Sequence, residues 1–188
     1  MKYLGSLLLQ IIPVMIGVYL GFLVTDCSSE KQTNEKRNAL VKNISAELTS
    51  NKNRLEQVVD YHRMVRDSVR YYLQHPKPIS GPGFFRGTNT MTLPRSAFET
   101  GIQTGIINEL SIDKIQALNT TYTHQDSYNE FGMLMLQGLI TMDFDESKES
   151  IEKIFRYLSI SMTDVVIKEE DLLKQYDKTL SLLNSKEK

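Results

Sequence analysis

Two hydrophobic patterns divide the chain. From Tyr3 to Thr25, "YLGSLLLQIIPVMIGVYLGFLVT", no position is charged. Beyond Ser28, apolar residues recur instead at steps of three and four among charged ones. As a helix rising 1.5 Å per residue, the first stretch would reach about 34 Å, enough for a hydrocarbon core of about 30 Å. Secretion signals carry shorter apolar regions, about 7–15 residues. The pattern therefore predicts a single transmembrane helix, with residues 1–27 as a membrane anchor. Gln10 and Pro13 interrupt it, as membrane helices tolerate when neighbouring groups satisfy the freed backbone. Gly17 and Gly21 share one face and would admit a second helix closely, or simply face lipid.

The second pattern predicts long packed helices. Residues 28–75 contain neither Gly nor Pro, and Val41, Ile44, Leu48, Leu55, Val58, Val65, Val69 and Tyr72 fall on one seam. Asn51 and His62 fill its gaps, either as ligand contacts or as buried polar residues that fix helix register. Residues 76–94 are rich in Pro and Gly and predict a long loop. Phe84, Phe85 and Arg86 within it suit either an exposed recognition tip or a plug folded back on the helices. Residues 95–188 then predict three more helices. Ala97, Phe98, Ile102 and Ile106 mark the first. The second starts near Ser111 and turns Ile112, Ile115, Leu118, Tyr122, Tyr128 or Gln125, Met133 and Leu136 inward. The last carries Ile151, Ile154, Leu158, Met162, Val165, Leu172, Tyr176, Leu180 and Leu183. The fold class expected is all-α: a membrane helix continuing into an antiparallel helical bundle.

Charge narrows the partners. Lys and Arg total 22 against 23 Asp and Glu, a net charge of −1. Such balance argues against nucleic acid, which selects a basic face. A lone cysteine, Cys27, forms no internal disulfide. "CSSE" after an apolar run resembles a lipoprotein acylation site, although Asp26 stands where a small neutral residue is expected. Cys27 is thus either a possible lipidation site or a plain interfacial residue. The expected location is a bacterial cell membrane, single-pass, with the polar part outside the cytoplasm.

Candidate chemistry is sparse. Glu-x-x-His pairs, His-Glu-x-x-His, Gly-x-Ser-x-Gly and phosphate-binding loops are all missing from the sequence. Asp143, Asp145 and Glu146 lack the glycine and distal glutamate of a calcium loop, and suit a helix start instead. The most polar stretch is "YTHQDSYNE", residues 122–130. Tyr122, His124 and Gln125, with His62, form a possible polar site; the alternative is a solvated face with buried tyrosine rings. No catalytic residue, metal or cofactor is expected.

"IGVYLGFLV", followed by Glu47-Leu48, Asn51, Leu55 and Tyr61-His62, resembles an uncharacterised bacterial family of N-terminally membrane-anchored helical proteins. "SAFETGIQTGIINELSIDKIQALNTTYTHQDSY" is similar to that group's second block, with Phe98 where Trp is usual. The resemblance covers residues 10 to 130 and implies an anchored helical protein without an assigned activity. The expected function is a non-catalytic, membrane-tethered interaction module, an accessory or scaffold subunit, with a protein partner or a second copy of itself. The alternative is a small-ligand sensor bundle.

Overall fold

The computed structural model describes residues 2–75, 83–145 and 147–185, with side chains for 14–21 and from 28 onward within those ranges. Among the described residues there are four α-helices: α1 (Lys2–Gln74), α2 (Ser96–Gln103), α3 (Ile112–Ile140) and α4 (Lys148–Asn184). A 3-10 turn, Ile106–Glu109, separates α2 from α3, and no strand occurs among the described residues.

Local sequence explains the boundaries. α1 closes with His75 N donating to Tyr71 O, immediately before Pro76, whose ring disfavours helical geometry in its predecessor. α2 stops at Gly105, which takes φ +72, a left-handed geometry that costs glycine no Cβ clash. At the start of α4, Ser147 Oγ accepts from Ser150 N at 3.2 Å, and Asp145 in turn accepts from the Ser147 hydroxyl at 2.6 Å.

α4 runs antiparallel to both α1 and α3. Lys52 meets Asp177, His62 meets Glu169 and Tyr72 stacks near Phe155 along one side. Thr121 meets Thr179 and Tyr157 meets the Met135 carbonyl along the other. The principal helix contacts are α1 with α4 and α3 with α4. Between α1 and α3 lies an irregular segment, residues 84–95, hereafter the strap, in which Gly87 and Asn89 take positive φ. Ile44, Leu48, Leu55, Val65, Val69, Leu158, Met162, Val165 and Leu172 are all fully buried in the α1–α4 seam. The helical bundle is therefore as the periodicity anticipates.

The membrane part is not. Among the described residues, no helix is long and apolar enough to cross a membrane. That finding overturns the single-pass anchor and the bacterial-membrane location expected from residues 1–27. The side chains of residues 3–13 and 22–25, and of Cys27, lie outside the described residues.

Some inward faces also differ from expectation. Ile102, Ile112 and Met133 are at least half exposed, and Leu136 nearly so. The true α3 seam is Leu118, Thr121, Gln125, Tyr128, Gly132, Met135 and Leu139. Its three-four alternation is regular, but Thr121, Gln125 and Gly132 are not apolar, so counting hydrophobes shifts the register toward Met133 and Leu136.

Candidate functional site

The polar interior is concentrated where α1 and α3 grip the strap. Among the described residues, no main-chain hydrogen bond joins residues 84–94 to another main-chain group. Helix side chains bind its backbone instead. Tyr61 Oη accepts from Arg86 N and donates to Gly87 O, both at 2.8 Å. His62 Nε2 lies 2.7 Å from Thr88 O. Asn129 accepts from Leu93 N at 2.9 Å and donates to Leu93 O at 3.1 Å. Gln125 Nε2 donates to the carbonyls of Leu93 (3.1 Å) and Pro94 (3.0 Å), and Asn51 Nδ2 reaches Pro94 O at 2.8 Å.

A second layer orients the first. Gln125 Oε1 accepts from Asn51 (3.0 Å) and from Tyr176 Oη (2.7 Å), which fixes the way its amide points. Glu47 accepts from Tyr122 Oη at 2.6 Å and from Ala97 N at 2.9 Å, tying α1 to α2 and α3. His62 Nδ1 lies 2.8 Å from Glu169 Oε1, with both side chains fully buried. Thr88 O can only accept, so Nε2 carries a hydrogen, and one further proton lies along the Nδ1–Oε1 line. Tyr128 Oη also donates to Glu169 Oε1, at 3.2 Å.

Electrostatics follow from burial. Desolvation, then the adjacent Glu47 carboxylate, holds the Tyr122 hydroxyl protonated well above the usual phenol range. Desolvation raises Tyr128 likewise, helped by the charge of Glu169. Desolvation raises Tyr176 in the same way. These hydroxyls serve as fixed hydrogen-bond donors. The His62–Glu169 pair has the chemistry of an acid–base couple, but the strap and helices enclose it completely.

The expected site residues separate into three groups. His62, Tyr122 and Gln125 are buried together in this polar interior, but His124 is exposed on the outer face of α3. Phe84 is half-buried, 5.5 Å from the Tyr72 ring and 6.0 Å from Phe155; Phe85 also packs on the core, and Arg86 is exposed. Gly17 and Gly21 sit on α1 with no atom within 4 Å of where a Cβ would stand. The side chain of Cys27, the possible lipidation site, lies outside what is described, and Glu146 lies outside the described residues altogether.

Sequence reasoning missed Asn129 and Tyr128 as partners of the strap, at Leu93 and Met91, and Glu169 as the partner of His62. Glu169 was findable. Val165 and Leu172 leave a gap of the same kind that Asn51 and His62 fill on α1, and a four-residue step from Val165 lands on Glu169. Asn129 carried no such signal.

A separate cavity of about 400 Å³ lies at the end of the bundle where α1 enters it. Arg37, Asn38, Val41, Leu110, Lys114 and Leu183 line it. It is remote from the His62–Gln125 interior. Among the described residues, no group of three or more His, Cys, Asp and Glu could hold a metal ion. No known family matches the chain, and no curated protein or solved structure is detectably similar to it.

Proposed function

We propose that this protein is a non-catalytic helical interaction module that joins a protein assembly through the N-terminal part of α1. The observation that carries this reading is the stretch 14–21. Val14, Met15, Ile16, Val18, Tyr19 and Leu20 are each more than half exposed. Consecutive positions on a helix point in all directions, so this surface is apolar around its whole circumference, a pattern otherwise found on buried helices. A protein partner that surrounds the segment removes that surface from water. The enclosed polar interior supports the same reading, because its side chains are engaged in holding the strap rather than lining an open cleft.

Affinity purification of the tagged full chain tests it. A stoichiometric protein partner is expected, and the paired substitution Ile16→Glu and Leu20→Glu should release it while leaving thermal unfolding of the bundle unchanged. A full-length chain that stays monomeric and partner-free overturns the proposal.

One observation favours a second reading, a small-ligand binding bundle. Arg37, Lys114 and Asn38 share the wall of the entry-end cavity, which suits a small anion. Inorganic phosphate and small dicarboxylates should then raise the melting temperature, since a ligand bound only to the folded state stabilises it. No shift with either probe removes this reading.

A further inference from the structure

The strap is held as a receptor holds a peptide. Its main chain is read by side chains at Arg86, Gly87, Thr88, Leu93 and Pro94, and the readers come from α1 and α3. Of its own side chains only Leu93 is fully enclosed, at 1% exposure. Gly132 leaves room beside Thr90: a Cβ there would lie 3.1 Å from the Thr90 Cβ. Pro94 presents a carbonyl and no N–H, so the groove needs no acceptor at that point. The groove thus specifies a leucine anchor followed by proline and a small hydroxyl residue three positions before the leucine, on a backbone that turns through positive φ at Gly87 and Asn89.

From this we infer that the α1–α3 groove is a peptide-binding site, occupied here in cis, whose ligand in trans is a polypeptide segment carrying Leu-Pro. Recognition works through main-chain groups and a single anchor pocket. It differs from strand addition because the readers are side chains rather than a sheet edge. The tethered strap competes at high effective concentration, so the groove opens to a second segment only when the strap is loosened. This site is distinct from the N-terminal contact proposed above and does not depend on it.

Gly87 supplies the means to test it. Its φ of +97 disfavours any side chain, yet no atom lies within 4 Å of a Cβ placed there. Gly87→Val therefore strains the strap without altering the groove. The probe is a fluorescein-labelled synthetic peptide of residues 84–95, FFRGTNTMTLPR, followed by fluorescence anisotropy. The full-length G87V chain should bind it at least tenfold more tightly than the natural chain. Replacing the peptide leucine by serine, or adding Asn129→Ala to the G87V chain, should weaken binding at least tenfold.

A G87V chain with a cooperative melt and no saturable binding overturns the inference, and so does equal affinity for the serine peptide. If G87V does not fold, amide hydrogen exchange of the natural chain decides. Excess unlabelled peptide should accelerate exchange at Leu93 N–H with a saturating dose response, and an exchange rate independent of peptide refutes the site. Neither negative result touches capture of a partner by residues 14–21, because no assembly partner enters the assay.

Discussion

The two sides of α1 are held by different forces. Toward α4 it presents Ile44, Leu48, Leu55, Val65 and Val69, all without solvent exposure. Toward the strap it presents Asn51, Tyr61 and His62 and binds carbonyls and amides. Full burial of an aliphatic side chain contributes about 1.5–3 kcal/mol, whereas a typical hydrogen bond nets about 1 kcal/mol because water offers the unfolded chain the same bonds. Summed along its length, the apolar seam decides whether the chain folds. The polar side decides which conformation the strap adopts and how readily it opens.

Substitutions should separate the two. The largest loss is expected from Glu169→Ala, which leaves His62 and Tyr128 facing no acceptor: about 3–5 kcal/mol by urea denaturation. A loss below 1 kcal/mol would show that the pair contributes little. Leu158→Ala, at a position with no exposure, should cost about 2–5 kcal/mol and lower protection of amides in α1 and α4 alike. Confinement of its effect to α4 would break the idea of one shared seam.

High pH probes the polar side as a whole. Tyr122, Tyr128 and Tyr176 have raised values in the folded chain, whereas unfolded tyrosine ionises near 10. Above that point the unfolded state binds fewer protons than the folded one. The stability they contribute is therefore complete below about pH 10 and declines as pH rises further, by about 1.4 kcal/mol per tyrosine at pH 11. Urea midpoints measured from pH 8 to 11 should be level and then fall, and Tyr122→Phe should reduce the fall by one share.

Smaller effects sharpen the contrast. Asn129→Ala removes two bonds to Leu93 and should speed exchange at the Leu93 amide, with about 1–2 kcal/mol lost there and α1–α4 protection nearly unchanged. Arg156→Ala disrupts an exposed pair with Glu152 and should change stability by less than about 0.5 kcal/mol. Equal losses from these two variants would mean that the strap bonds are no better than surface ones.

Legibility in the sequence follows the same division. Apolar periodicity located the long helices and most of the α1 and α4 seams, because transfer of hydrocarbon from water leaves a regular spacing. It failed where the buried residue was polar or small: Thr121 and Gly132 on α3 and Glu169 on α4. The grouping of His62, Tyr122 and Gln125 could be anticipated as polar residues near seam positions, but their shared object could not. Main-chain carbonyls of an irregular segment leave no mark on residue type, and His124, adjacent in sequence to Gln125, turns to the opposite side. The uncharged opening misled for another reason. Hydropathy sums report oiliness over a window and do not identify what covers it.

α1 extends as one unbroken rod from residue 2 to residue 74, so angle is conserved along it as well as distance. Between Gly21 and Leu40, the first buried residue of α1 among those described, the axis advances about 28 Å. One residue inserted in that interval would swing the whole bundle by about 100° about the rod, while a seven-residue insertion would return it to within about 20°. The compass bearing of the domain relative to whatever clasps its leading turns is thus written as a residue count, and a deletion that touches no contact could still point the domain the wrong way.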